Sequence, residues 1–154
     1  MQPARGAGVS TLDRAGIASR IPHHGNMCLL DSVESWSDTQ IHCQASSHAA
    51  PDNPLRAAGR LGMANGIEYA AQAMAVHGAL RAGADGAPRA GYLTSVREVE
   101  FHAERLDLDT TPLDIHAECL SGDGNHLIYS FRLETAGRLL ITGRASVMLD
   151  AGAL

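Results

Sequence analysis

The sequence predicts an α+β fold in which one curved antiparallel β-sheet wraps a single long central α-helix. Three observations predict it. Only one run, "NGIEYAAQAMAVHGAL" at 65–80, is long and apolar enough for a buried helix. Six shorter runs read as strands, two before that helix and four after it. The connectors "SGDGN" and "TAG" between the last strands are short and turn-like, so those strands form antiparallel hairpins. A helix that is apolar nearly all round cannot bury itself, and a sheet wrapped around it supplies the missing cover.

The elements follow in order. Residues 1–20 are an N-terminal tail and a short helix, and residues 21–150 form one domain. Within the first part, 1–9 is tail, and "STLDRAGIASRI" predicts the short helix, with Ser10 or Thr11 as its cap and Pro22 as its stop. "MCLLDSVESW" predicts a first strand. "DTQIHCQAS" alternates as a second, with Ile41, Cys43 and Ala45 on one face. "SHAAPDNPLRAAGRLG" is rich in turn formers and predicts a loop. Alanines at 70, 71, 73, 75 and 79 of the long helix let a sheet approach closely on several sides. "RAGADGAPRAG" is a linker. The runs "GYLTSVREVEF", "PLDIHAECL", "HLIYSFRLET" and "RLLITGRASVML" complete the sheet.

Composition narrows the function. The chain has 154 residues, 45% hydrophobic and only 4% aromatic, so its core is aliphatic. All 12 basic residues are arginines, yet the net charge is −5 with no basic run, which argues against nucleic acid as a partner. Cys28, Cys43 and Cys119 are odd in number and scattered, which predicts free thiols and a cytoplasmic location. No apolar run approaches the roughly 18 residues a membrane span needs. The N-terminal stretch "MQPARGAGVSTLDRAG" has no apolar signal core. Eight histidines raise the question of a metal, but no HExxH or paired CxxC spacing supports one. No GxSxG elbow supports a serine hydrolase, and Cys28 reads as a buried strand cysteine.

Glu68 and Gln72 are the anomalies of the long helix. Glu68 stands in its first turn, where a carboxylate is favoured by the helix dipole. Gln72 lies one turn on, on the same face, and is placed either to orient that carboxylate or to bond neighbouring backbone.

Three stretches carry a resemblance: "IPHHGNMCLLDSV", "GIEYAAQAMA" and "GYLTSVREVEF", spanning Ile21 to Phe101. In order and separation they resemble the hot-dog 3-hydroxyacyl-(acyl-carrier-protein) dehydratases. They look most like a divergent branch associated with aryl-polyene and xanthomonadin-type pigment biosynthesis. The resemblance implies that 21–150 is a single hot-dog domain. It also implies a lyase that removes water from a 3-hydroxyacyl thioester carried on an acyl carrier protein, with no cofactor. Common members carry a catalytic histidine in a His-Phe-Pro-Gly loop before the helix. Here that region reads "NPLRAAGRLGMANG", with no histidine.

Such a reaction takes a proton from C2 and delivers one to the leaving hydroxyl, so an acid and a base must face one small region. The resemblance implies Glu68 as one of them. His23, in the Pro-His segment, and His48, at the end of the second strand, are the alternatives for the other. Gly66 is placed to let its backbone N–H polarise the thioester carbonyl, and Gln72 to hold substrate or carboxylate. Arg81, Arg89 and Arg97 flank the linker and offer positive charge to an acidic carrier protein. The family further implies a homodimer, or a heterodimer with a paralogous hot-dog subunit. Two other functions fit the same residues: a hot-dog acyl thioesterase and a non-catalytic partner subunit of a dehydratase.

Overall fold

The computed structural model describes residues 11–82, 91–123 and 125–149. The predicted tail (1–9), the candidate cap Ser10, most of the predicted linker with Arg89, and the end of the chain lie outside the described residues. The elements are α1 (Arg14–Ala18), β1 (Ser32–Trp36), β2 (Gln40–Ala45), α2 (Gly66–Ala82), β3 (Gly91–Phe101), β4 (Leu113–Asp123), β5 (His126–Thr135) and β6 (Arg138–Leu149). The six strands form one sheet in the order β1-β2-β4-β5-β6-β3, every neighbour antiparallel. This is the predicted hot-dog architecture.

Alternation in the strands decides which side α2 occupies. Cys43, Ile115, Leu133 and Ile141 are register partners across β2, β4, β5 and β6, and all four are fully buried. Their burial contributes about 1.5–3 kcal/mol for each aliphatic side chain. Their neighbours His42, His116, Arg132 and Thr142 form the matching row on the outer face. The β5–β6 turn is tight because Ala136 and Gly137 both take positive φ, 50° and 76°, as the twist of a two-residue hairpin requires.

Helix α2 packs against β2, β4 and β5, and it buries Gly66, Tyr69, Ala70, Gln72, Ala73, Met74, Val76 and His77. The alanines there divide: Ala70 and Ala73 are buried, whereas Ala71, Ala75 and Ala79 stay half-buried. Within this chain the sheet therefore covers one side of the helix, not several. Among the described residues no helix is long and apolar enough to cross a membrane. All three cysteines are free, and burial pushes the Cys43 thiol up to about 12.

Two boundaries differ from the prediction. The short helix starts later, capped by Asp13, whose Oδ1 accepts from the Gly16 N–H at 2.9 Å. The cause is a backbone bridge between Leu12 and Val33, which keeps residue 12 extended. The first strand also begins later, at Ser32. The peptide groups of Met27 and Leu29 bond side chains instead of a neighbouring strand.

Candidate active site

The segment from Pro22 to Leu30 lies across the first turns of α2, and side chains from four directions hold it there. Arg14 donates to the Gly25 carbonyl at 3.0 Å, and Asn26 donates to the Asp52 carbonyl at 3.0 Å. Ser47 Oγ donates to the Leu29 carbonyl at 2.8 Å. Gln72 does most: its Oε1 accepts from the Leu29 N–H at 2.9 Å, and its Nε2 donates to the Met27 carbonyl at 2.8 Å. Gln72 is fully buried, so each of these bonds replaces a hydration that folding removed.

This clamp sets His23 beside Glu68. His23 Nε2 stands 3.3 Å from Glu68 Oε2 within the same chain, with both side chains partly exposed, 26% and 36%. The amide of Gln72 donates to that same Oε2 at 3.2 Å. Gln72 therefore does both things the sequence allowed, bonding backbone and orienting the carboxylate. His24 is exposed.

Behind the pair lies a network that sequence reasoning missed. Tyr69 Oη bonds Ser47 Oγ at 2.8 Å and accepts from Asn53 Nδ2 at 3.1 Å, and Ser47 in turn holds the Leu29 carbonyl. Burial raises the Tyr69 hydroxyl pKa, keeping it a neutral hydrogen-bonding group. The loop residues Ser47 and Asn53 carry no periodic pattern. Their only signal was a buried tyrosine one position after Glu68, which must find polar partners.

The other predicted residues are engaged otherwise. His48 is fully buried, with Nε2 2.8 Å from the Asp109 carbonyl, and burial lowers its pKa. It is bonded there and not to Glu68, and its own carbonyl is held by Arg56. Gly66 donates its N–H back to the Met63 and Ala64 carbonyls. A Cβ on it would sit 3.2 Å from Leu133 Cδ2 and 3.5 Å from Ile141 Cγ2. The missing side chain is thus explained by helix–sheet packing, and the N–H belongs to the turn that leads into α2. Arg81 and Arg97 are exposed, and Arg81 reaches Cys119 Sγ at 3.6 Å.

A second histidine–carboxylate contact, His42 Nε2 to Asp114 Oδ1 at 2.7 Å, lies on the outer sheet face. It borders a trough of about 760 Å³ whose lining includes His42, His116, Arg132 and Arg144. Its imidazole stacks on His116 with ring centres 4.3 Å apart. Neither α2 nor the Pro22–Leu30 segment contributes to that trough. The pair at the head of α2 differs in standing at the positive end of a helix dipole, which favours negative charge there.

The strand order and the single long helix define a hot-dog protein, and the acid–imidazole pair at the helix head suits a dehydratase-like member of that class. The chain belongs to the ApeP-like dehydratase family: the profile described as ApeP dehydratase matches residues 15–152. It is similar to a chain of the dehydratase heterocomplex ApeI:P from Xenorhabdus doucetiae, with 27% identity over 88% of this chain and 91% of that one, and a TM-score of 0.76. A mutant thioesterase from Pseudomonas aeruginosa shares the fold at 14% identity, covering 92% of this chain and 96% of that one, with a TM-score of 0.63. AziG of S. sahachiroi shares it at 17% identity, 78% and 90% coverage, and a TM-score of 0.59. No protein of curated function matches the sequence.

Proposed function

We propose that this chain acts in the removal of water from a 3-hydroxyacyl thioester carried on the phosphopantetheine arm of an acyl carrier protein, in a fatty-acid-like or polyene pigment synthesis. The observation that carries the reading is the meeting of His23 and Glu68 at 3.3 Å, fixed by the buried Gln72. Elimination needs groups that move protons at C2 and at the C3 hydroxyl, and a pre-oriented carboxylate beside an imidazole is suited to that work. His48, engaged with Asp109, serves the fold in this reading. The ApeI:P structure is of a heterocomplex, and we propose that this chain likewise works as one of a pair of hot-dog subunits.

The test offers the chain, together with its partner subunit, a 3-hydroxyacyl and a saturated acyl thioester of the same length. Enoyl thioester from the first is expected. Glu68→Gln should slow its formation by at least about a hundredfold, the usual contribution of a positioned acid or base. Glu68-dependent release of free thiol from the saturated thioester would instead mark a thioesterase.

A further inference from the structure

The directions of the hydrogen bonds behind Glu68 can be assigned one after another. The Leu55 N–H can only donate, and it bonds Asn53 Oδ1 at 2.8 Å, so Asn53 Nδ2 is the NH2 group. Its two hydrogens go to the Ser47 carbonyl at 2.8 Å and to Tyr69 Oη at 3.1 Å. At the other end, the Leu29 carbonyl can only accept, and Ser47 Oγ stands 2.8 Å from it. The single hydroxyl hydrogen of Ser47 therefore goes to Leu29. The 2.8 Å contact between Ser47 Oγ and Tyr69 Oη then has one donor left, the tyrosine. Burial raises the Tyr69 pKa, so its hydroxyl keeps the hydrogen it gives. One direction runs through the whole chain of bonds: Asn53 to Tyr69, Tyr69 to Ser47, Ser47 to the Leu29 carbonyl.

The donor end of this chain is anchored. Arg56 donates to the Ala50 carbonyl at 2.8 Å, the His48 carbonyl at 3.0 Å and Asp107 Oδ2 at 2.8 Å. Asp107, only 4% exposed, is also held by Arg105. His48 and Ala50 lie between Ser47 and Asn53, so the guanidinium fixes the stretch that presents both. The acceptor end is the segment that carries His23. Gln72 fixes the Leu29 N–H from α2, and Ser47 fixes the Leu29 carbonyl from the loop after β2. Tyr69 has no solvent exposure. A phenylalanine would fill the same core space without a buried hydroxyl to satisfy, so packing alone gives no reason for the oxygen.

We infer that Tyr69 is a positioning residue of the reaction, acting with Ser47 and Asn53: its hydroxyl ties the anchored loop to the Pro22–Leu30 segment and so sets where His23 stands beside Glu68. The inference rests on the dehydratase reading above. Among the described residues, the polar contacts of the Glu68 side chain are Gln72 and His23, so the tyrosine acts on the pair through geometry alone.

The test compares Tyr69→Phe, Ser47→Ala and their combination in the subunit pair, by two readouts. Amide hydrogen exchange is followed by mass spectrometry in peptides covering 23–30 and in peptides of β4 and β5. Enoyl formation is followed over a range of 3-hydroxyacyl thioester concentrations. Tyr69→Phe should speed exchange in 23–30 by about tenfold, the weight of one hydrogen bond, and leave β4 and β5 as in the parent. It should lower kcat about tenfold with KM unchanged. That is less than the roughly hundredfold cost of a full 1 Å displacement, because Gln72 still holds the segment. The combination should be no slower than Ser47→Ala, since both changes break the same link. Equal acceleration of exchange across the whole fold would make the hydroxyl a matter of stability alone and overturn the inference. So would a loosened segment with the parent's kcat, or losses in kcat that multiply in the combination. A parent pair that forms no enoyl product would sink the dehydratase reading instead, and the exchange comparison would still decide whether the tyrosine holds the segment.

Discussion

Replacing Gln72 with Met keeps the side chain's length and removes three hydrogen bonds at once. The Leu29 N–H loses its acceptor and the Met27 carbonyl its donor, both beside a side chain with no solvent exposure. Each buried orphan costs about 1–3 kcal/mol. The third bond, to the partly exposed Glu68, adds little to stability. Relaxation of the Pro22–Leu30 segment will restore some hydration, so the expected loss is about 2–4 kcal/mol. It is read as a lower urea midpoint at an unchanged slope. The catalytic effect should be separate and larger. With Met27 and Leu29 released, His23 and Glu68 no longer share a fixed geometry, and a displacement near 1 Å costs on the order of a hundredfold in rate. The loss should fall on kcat more than on KM, since the amide acts on the carboxylate and not on the acyl chain. A Gln72→Met protein within about 0.5 kcal/mol of the parent, the range of an inconsequential surface change, and of full activity, would refute the clamp.

Acid should destabilise the fold through its buried imidazoles. His77 bonds Tyr129 Oη at 2.7 Å and the Ser37 carbonyl at 2.8 Å, and burial lowers its pKa, as it does that of His48. The unfolded state then binds more protons below about pH 6.5, so stability present above that pH is lost as pH falls through it. His77→Gln should flatten this decline in chemical denaturation series, and an unchanged slope would exclude His77 as its source. Gly143→Ala should cost about 1–3 kcal/mol by overpacking. Its Cβ would lie 2.7 Å from the ring of the buried Phe131 and 3.2 Å from Val99 Cγ2. A thermal midpoint equal to the parent's would show that the ring moves aside freely.

Local patterns carried the fold, and the site is legible only where its contacts are local. Alternation placed Ile41, Cys43 and Ala45 on the buried face, where the structure has them, and the single alanine-rich run located α2. The i, i+4 spacing of Glu68 and Gln72 predicted that they share a face, and they bond at 3.2 Å. His23 came from the Pro-His segment through a family resemblance, because nothing in the helix periodicity points to a residue 45 positions earlier. The bonds from Gln72 to Met27 and Leu29 are tertiary, and "MCLLDSVESW" looks like a continuous strand because its composition is that of one. Its first residues leave the ladder since side chains satisfy their peptide groups. Gly66 was expected to face substrate because a glycine at a helix head permits close approach, and the structure adds a packing reason for the missing side chain. The approaching group in the structure is the side chain of Leu133. Which of His23 and His48 stands beside Glu68 could not be read from spacing, because it depends on tertiary contacts: His23 is held near the carboxylate by the Pro22–Leu30 segment, and His48 bonds the Asp109 carbonyl.

The central claim is that His23 and Glu68 form one proton-handling unit. Its most direct test is a double-mutant cycle in the subunit pair, with enoyl formation measured for His23→Asn, Glu68→Gln and the combination. Residues that act as a unit are strongly non-additive, so the double variant should be no slower than Glu68→Gln alone, within about threefold. Losses that multiply, or a Glu68→Gln protein with the parent's rate, would contradict the account.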